Sequence, residues 1–263
     1  MAMIELKNIT KTYKKHQAFC QHDHPVLKDV SLTLSFGECV GLIGESGSGK
    51  STLSRILLGV EPYQSGEITI EGIPLKKWQK QHPGKMSVVF QDYNASMNPK
   101  LTIEQIIEEG LAVSGSSQSV SELLAQVELD DSFLNRYPHQ LSGGQLQRVA
   151  IARVLALQPK IIVLDEAVSS LDVSVQATIL RLLKRLQNEL QLTYLFISHD
   201  LQAVAYLCDR IAFLHHGTIV EQVKMSELLH SKQPYVREFL SAVKVLEVED
   251  CTIPMHNEHY QTN

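Results

Sequence analysis

Cys39-Val40-Gly41-Leu42-Ile43-Gly44-Glu45-Ser46-Gly47-Ser48-Gly49-Lys50-Ser51-Thr52-Leu53 decides how this chain is read. An apolar run, 39–43, leads into a Gly/Ser loop, and the loop opens an amphipathic stretch carrying Leu53, Ile56 and Leu57. Strand, loop and helix in that order make a phosphate cradle. The glycines let backbone N–H groups turn inward around an anion, the helix offers the positive end of its dipole, and Lys50 brings a mobile charge to the outer phosphates. Ser51 is placed to ligate Mg²⁺. A solvated Gly/Ser turn would need neither the strand before it nor the helix after it. The pattern predicts binding of a nucleoside triphosphate across Gly44, Glu45, Ser46, Gly47, Ser48, Gly49, Lys50, Ser51 and Thr52.

Two further constellations lie downstream. Ile161-Ile162-Val163-Leu164 reads as a buried parallel strand that delivers Asp165 and Glu166 to its carboxyl end, where α/β sheets place ligands. Asp165 suits the Mg²⁺ shell, and Glu166 suits accepting a proton from the water that attacks the γ-phosphate. Alone, such an acidic pair would read as the acid-rich start of a helix. Leu141-Ser142-Gly143-Gly144-Gln145 precedes a helical run (146–158), a second N-terminus able to offer a hydroxyl and free N–H groups to phosphate, or an ordinary N-cap.

These motifs, in this order, resemble the ATP-binding subunits of ABC transporters, and the resemblance covers roughly residues 4–240. It implies an α/β fold: a P-loop NTPase (RecA-like) core with an antiparallel β subdomain and an inserted α-helical subdomain. It also implies further roles. Tyr13 stands where an aromatic stacks on adenine; otherwise it is an edge-strand tyrosine. Gln91, after Val88-Val89-Phe90, matches the glutamine that reaches metal and attacking water. Asp172, in Ser169-Ser170-Leu171-Asp172, belongs to the loop between nucleotide sites, and His199 matches the histidine near the γ-phosphate rather than a purely structural strand-end residue. In the family Ser142, Gly143, Gly144 and Gln145 of one subunit cover the ATP held by another. The resemblance therefore implies ATP and Mg²⁺ as ligands, with a head-to-tail pairing to a second ATPase subunit, itself expected to be a different chain. It also implies two membrane permease subunits and, indirectly, an extracytoplasmic solute-binding protein.

Composition agrees. The chain has 263 residues, 44% of them hydrophobic, enough for a large core. No stretch approaches the ~20 apolar residues that span a bilayer, and the N-terminus lacks a signal peptide's apolar core, so a cytosolic protein is expected; the resemblance implies a place at the cytoplasmic face of the cell membrane. A net charge of −5 leaves no basic footprint for nucleic acid. Four dispersed cysteines, without a C-x-x-C pair, point to neither disulfides nor a zinc site.

Along the chain, strands are expected at 4–13, 26–36 and 66–73, then before Gln91, Asp165 and Ser198. Helices are expected at 103–112, 120–127 and 174–190, a hairpin at 210–214 and 218–222, and a final helix at 226–242. One ATP-binding domain spans 1–245, with its core at 1–91 and 160–245 and a helical insertion at about 92–159. Residues 246–263 read as a disordered tail, His256, Glu258 and His259 included. His16, Cys20, His22, Asp23 and His24 cluster in a hydrophilic loop between the first two strands; the spacing matches no closed metal site and reads as a solvated insertion.

Within the family, Gln91-Asp92-Tyr93-Asn94-Ala95-Ser96-Met97-Asn98-Pro99-Lys100-Leu101-Thr102 is similar to the coupling segment of the peptide/nickel importer ATPases, departing at Tyr93, Met97 and Lys100. Ala167 and the run at 180–187 are closest to nickel-importer partner subunits. The function this implies is an ATPase that powers import of a transition metal such as nickel, or of a metal–chelator complex, with an oligopeptide importer as the alternative. A soluble ABC ATPase outside transport would carry a coiled-coil insertion or a second cassette, for which 263 residues leave no room. A non-hydrolysing regulator would be expected to lose Glu166 or His199.

Overall fold

Strands buried on both faces cannot alternate apolar with polar, and the central strands of this chain do not. The structure, a computed structural model, describes residues 2–17, 20–92, 96–169 and 171–247, with only the backbone at 15–17, 20–22 and 242–247. A six-stranded sheet is ordered β10-β9-β3-β8-β7-β6, where β3 is Cys39–Ile43, β6 Met86–Phe90, β7 Ile161–Asp165, β8 Thr193–Ile197, β9 Arg210–His215 and β10 Thr218–Lys224. All pairings are parallel except β9–β10 at the edge. Side chains alternate between two cores, as a period of two requires. Ile162, Leu164, Tyr194, Phe196, Ile211 and Phe213 enter one cluster, while Ile161, Val163, Leu195, Ile197, Ala212 and Leu214 enter the other.

The first cluster is roofed by helices α3 (Ile103–Ser114), α4 (Val120–Gln126), α5 (Gly143–Leu155), α6 (Val173–Leu190) and α7 (Leu201–Leu207). Capping boxes start three of them, through Thr102/Gln105, Ser119/Glu122 and Ser142/Gln145. The second cluster lies under an antiparallel sheet ordered β2-β1-β4-β5, with β1 Ala2–Gln17, β2 Cys20–Ser35, β4 Ser65–Ile70 and β5 Ile73–Pro74. Helices α1 (Lys50–Leu57) and α2 (Leu75–Gln81) complete it. The sequence reading does not foresee α2; it buries Trp78, whose Nε1 donates to Glu71 Oε2 at 2.8 Å.

Two expectations need correction. The expected loop at 14–25 is strand in its described residues: β1 runs to Gln17 and β2 starts at Cys20, with His16 opposite Gln21 and Gln17 opposite Cys20. Ladder hydrogen bonding prolongs a polar stretch that has no apolar periodicity to betray it. The side chains of His16, Cys20 and His22 lie outside the described residues, as do Tyr93, Asn94, Ala95, Ser170 and the tail bearing Cys251, His256, Glu258 and His259. The final helix is not continuous from 226 to 242 but splits into a 3-10 helix, Met225–His230, and α8, Pro234–Glu247. Pro234 has no N–H to donate and disfavours helical backbone at Gln233, so the chain breaks there and restarts with proline in the first turn.

Candidate functional site

β3 lies in the middle of the parallel sheet, and its carboxyl end, with those of β7 and β8, defines the site. Residues 44–49 turn out of β3 and enter α1 through Gly49, held at φ 112°. Gly44 has no alternative: a β-carbon there would run into the Leu214 carbonyl oxygen. At Gly47, φ 81°, nothing lies within 4 Å of where a β-carbon would sit, so the loop is open on that side. Lys50, 7% exposed, donates from Nζ to the carbonyls of Gly44 at 2.6 Å and Glu45 at 2.9 Å. Burial lowers the Lys50 ammonium below the ordinary lysine range, and Glu166, Asp165 and Glu45 pull it back.

Asp165 ends β7 between Phe90 of β6 and Ile197 of β8. Burial pushes its carboxyl above the ordinary aspartate range and Glu166 adds to this, while Ser54, Arg55 and Lys50 act in the opposite direction. Ser54 Oγ, fully buried beside it, has no hydrogen bond of full geometry. Glu166 sits just past the strand at φ 50°, its backbone N–H donating to Ile197 O at 2.9 Å. Its Oε1 is 3.8 Å from Nδ1 of His199, an exposed residue between β8 and α7.

An open cleft of about 530 Å³ joins these groups, lined by residues 44–47 and 49–52, Tyr13, His24, Val26, Glu166, His199 and Phe239. Tyr13 is held from two sides. Its hydroxyl is 3.5 Å from both Thr52 Oγ1 and Arg55 Nη2, and Lys11 Nζ stands 5.0 Å from its ring centroid. Lys11 in turn pairs with Glu61 at 2.9 Å.

The donor chemistry fits a triphosphate with a hard cation. Ser48 Oγ is buried in the loop without a partner, Ser51 is exposed to the cleft, and a carboxyl that burial makes costly to ionise, Asp165, stands behind them. Other predicted residues lie elsewhere. Gln91 is exposed at the end of β6, outside the cleft lining. Ser142 caps α5, its Oγ accepting from Gln145 N at 3.4 Å while Gln145 Oε1 accepts from Ser142 N at 2.9 Å, and with Gly143 it is exposed and outside the cleft lining. Asp172 precedes α6, exposed and without a side-chain cap bond.

Residues 27–169 match the ABC transporter family. The chain belongs to the ABC transporter ATP-binding family. It is 42% identical over 244 residues, 90% of this chain and 98% of the other, to the metal-staphylopine import system ATP-binding protein CntF of Staphylococcus aureus. It is 42% identical over 253 residues, 92% of this chain and 81% of the other, to the oligopeptide transport ATP-binding protein OppF of Streptococcus mutans. Among solved structures it is similar to the dimeric ATP-binding cassette MJ0796 in a post-hydrolysis state bound to ADP and Pi, with TM-score 0.72 and 35% identity over 85% of this chain and 99% of that one.

As an ABC-type ATPase that binds ATP, the chain keeps its phosphate loop and its Ser-Gly-Gly helix start apart. A residue the sequence reading missed ties α5 to the turn that carries Glu166. Gln147, fully buried on α5, donates from Nε2 to the carbonyl of Ala167, next to Glu166, and Ser169 Oγ donates to Glu166 O at 3.0 Å. Nothing in the apolar periodicity of α5 marks Gln147 except that a polar residue falls on the buried stripe. His24 could have been found by register, since it pairs directly across the hairpin from Tyr13. Phe239 showed in the sequence only as one of the apolar residues spaced along the last helix, with nothing to assign it to the cleft. No described helix is long and apolar enough to cross a membrane.

Proposed function

We propose that this chain is the ATP-hydrolysing subunit that powers import of a transition metal, nickel first among candidates, free or held by a small chelator. The reading is supported chiefly by the 42% identity, spanning 90% of the chain, with an ATPase named for metal-staphylopine import. An oligopeptide cargo is the second reading, favoured by equal identity to an oligopeptide transport ATPase. Both relatives share the machine and differ in cargo, which extracytoplasmic and membrane subunits select.

In this reading Lys50 releases its loop carbonyls and moves to the outer phosphates, and loop N–H groups bind the rest of the chain of phosphates. Tyr13 carries the adenine on a ring face. The Glu166 carboxylate takes a proton from water as the water oxygen attacks the γ-phosphorus, the bond from that phosphorus to the oxygen bridging the β-phosphate breaks, and ADP leaves with the electron pair, giving inorganic phosphate; His199 orients the water and the γ-phosphate. Ser51 and Asp165, with Gln91, would hold the Mg²⁺ that accompanies the nucleotide, and that ion would offset negative charge on the phosphates. Ser142, Gly143, Gly144 and Gln145 would cover the ATP of a second ATPase subunit, a different chain, while Asp172 lies between the two sites. Two membrane permeases receive the motion near Gln91, an extracytoplasmic solute-binding protein delivers cargo, and the subunit sits peripherally on the cytoplasmic face. The test is uptake in cells lacking the gene. Loss of nickel, cobalt or zinc accumulation, with or without chelator, is expected; loss of peptide uptake alone would move the assignment to the second reading.

A further inference from the structure

The last helix reaches the nucleotide cleft. On α8, Tyr235, Val236, Phe239 and Leu240 recur at helical spacing and pack on the helix-side core, the first two buried and the others partly so. The Tyr235 ring lies 4.0 Å from that of His215, and Phe239 meets Phe213 edge-on at 5.9 Å. Both partners belong to β9, and Phe213 sits directly opposite Ile43, the residue before Gly44. The strand pair that launches the phosphate loop therefore also fixes α8. Phe239 turns its free side to the cleft that holds Lys50 and Glu166. Tyr235 is only 9% exposed, and its hydroxyl has no hydrogen bond of full geometry; the polar group beside it is the backbone N–H of Glu45. Leaving a buried hydroxyl so poorly matched is costly unless the site uses it. The same Glu45 supplies, through its carbonyl, one of the two acceptors of Lys50.

We propose that α8 is a wall of the nucleotide site, in which Phe239 contacts bound ATP and Tyr235 positions the start of the phosphate loop through Glu45. The proposal rests on the ATP reading of the cleft. An apolar ring beside a phosphate site excludes water from one flank and so strengthens the Lys50–phosphate attraction. It also makes α8 a part of the chain whose docking differs between empty and occupied cleft, so that the two equilibria are linked.

The experiment is equilibrium titration of the full-length chain with Mg·ATP. Phe239→Trp introduces an indole beside the cleft, while the single native tryptophan, Trp78, is fully buried elsewhere and serves as background. A saturable emission change is expected, lost when Lys50→Ala is added. With a fluorescent ATP analogue, Phe239→Ala should weaken affinity about 3- to 10-fold, the scale of one lost aromatic contact. Tyr235→Phe should weaken it about 2- to 5-fold, the scale of one hydrogen bond, with the nucleotide-free unfolding midpoint unchanged, a split that a merely structural tyrosine would not give. A silent indole together with unchanged affinity in Phe239→Ala, in a background that binds ATP normally, overturns the contact. Should Phe239→Ala fail to fold, the indole titration decides it. Unchanged affinity in Tyr235→Phe overturns the positioning role. Failure of the unaltered chain to bind ATP would instead remove the nucleotide reading itself.

Discussion

Lys50 spends its charge on two carbonyls of its own loop, at 2.6 and 2.9 Å, and this decides what its loss would do. A buried ammonium caged by neutral carbonyls gains when anionic phosphate oxygens replace them, because attraction between opposite charges is weakly screened in a buried site. Lys50→Ala should therefore abolish high-affinity ATP binding without unfolding the loop, whose shape is set by Gly44 and Gly49. Titration with a fluorescent ATP analogue checks this, and unchanged affinity would end the cradle assignment. Glu166 poses the opposite case. Its position at φ 50° belongs to the turn and not to its carboxyl, so Glu166→Gln should keep both fold and ATP binding while slowing turnover about 10²- to 10⁴-fold, the usual contribution of a positioned base. Near-normal steady-state hydrolysis in that variant would exclude Glu166 as the base.

Helix α5 connects two functions. Its first turn is capped by the Ser142/Gln145 box and faces solvent, while one turn later Gln147 is bonded to the Ala167 carbonyl beside Glu166. Gly144 lies so close to α6 that a β-carbon would come within 2.5 Å of Val175 Cγ1. A shift of the α5 N-terminus would thus be felt at the Glu166 turn. Gln147→Leu should leave ATP affinity intact and lower kcat, since it frees the Ala167 carbonyl without touching the cleft lining; single-turnover hydrolysis checks it. Ser142→Arg should spare binding at the chain's own loop and cripple hydrolysis at the partner's. The measurement is ATP binding and turnover in the assembled transporter, and loss of binding by the variant chain itself would argue against a head-to-tail arrangement.

At the scale of the molecule, one sheet is held between two apolar clusters, and the loops at its carboxyl edge inherit that rigidity. Leu42, fully buried on β3 in the second cluster, should cost about 2–5 kcal/mol when cut to alanine, measured by urea unfolding, with ATP affinity falling in step as the loop loses its support. The cleft contains groups for the triphosphate, while Ser142 and Asp172 lie outside it, so the chain alone should hydrolyse ATP weakly and gain activity with a second ATPase and membrane subunits. A fully active homodimer would contradict pairing with a different chain.

The sequence by itself determined the parallel strands, the phosphate loop and the two carboxylates at the end of β7. In each, the chemistry lies within a few consecutive residues: an apolar run long enough for one buried strand, then the polar groups at its end. It could not determine the strand pairing of 14–17 with 20–23, where backbone pairing and not side-chain pattern sets the structure, nor the break at Pro234 within an otherwise helical periodicity. Only the tertiary structure brought His24, Val26 and Phe239 to the loop at 44–52 and set Gln147 behind Glu166. Such neighbours are chosen by register across strands and by packing of helices on the sheet, long-range relations that leave no spacing in the chain to read.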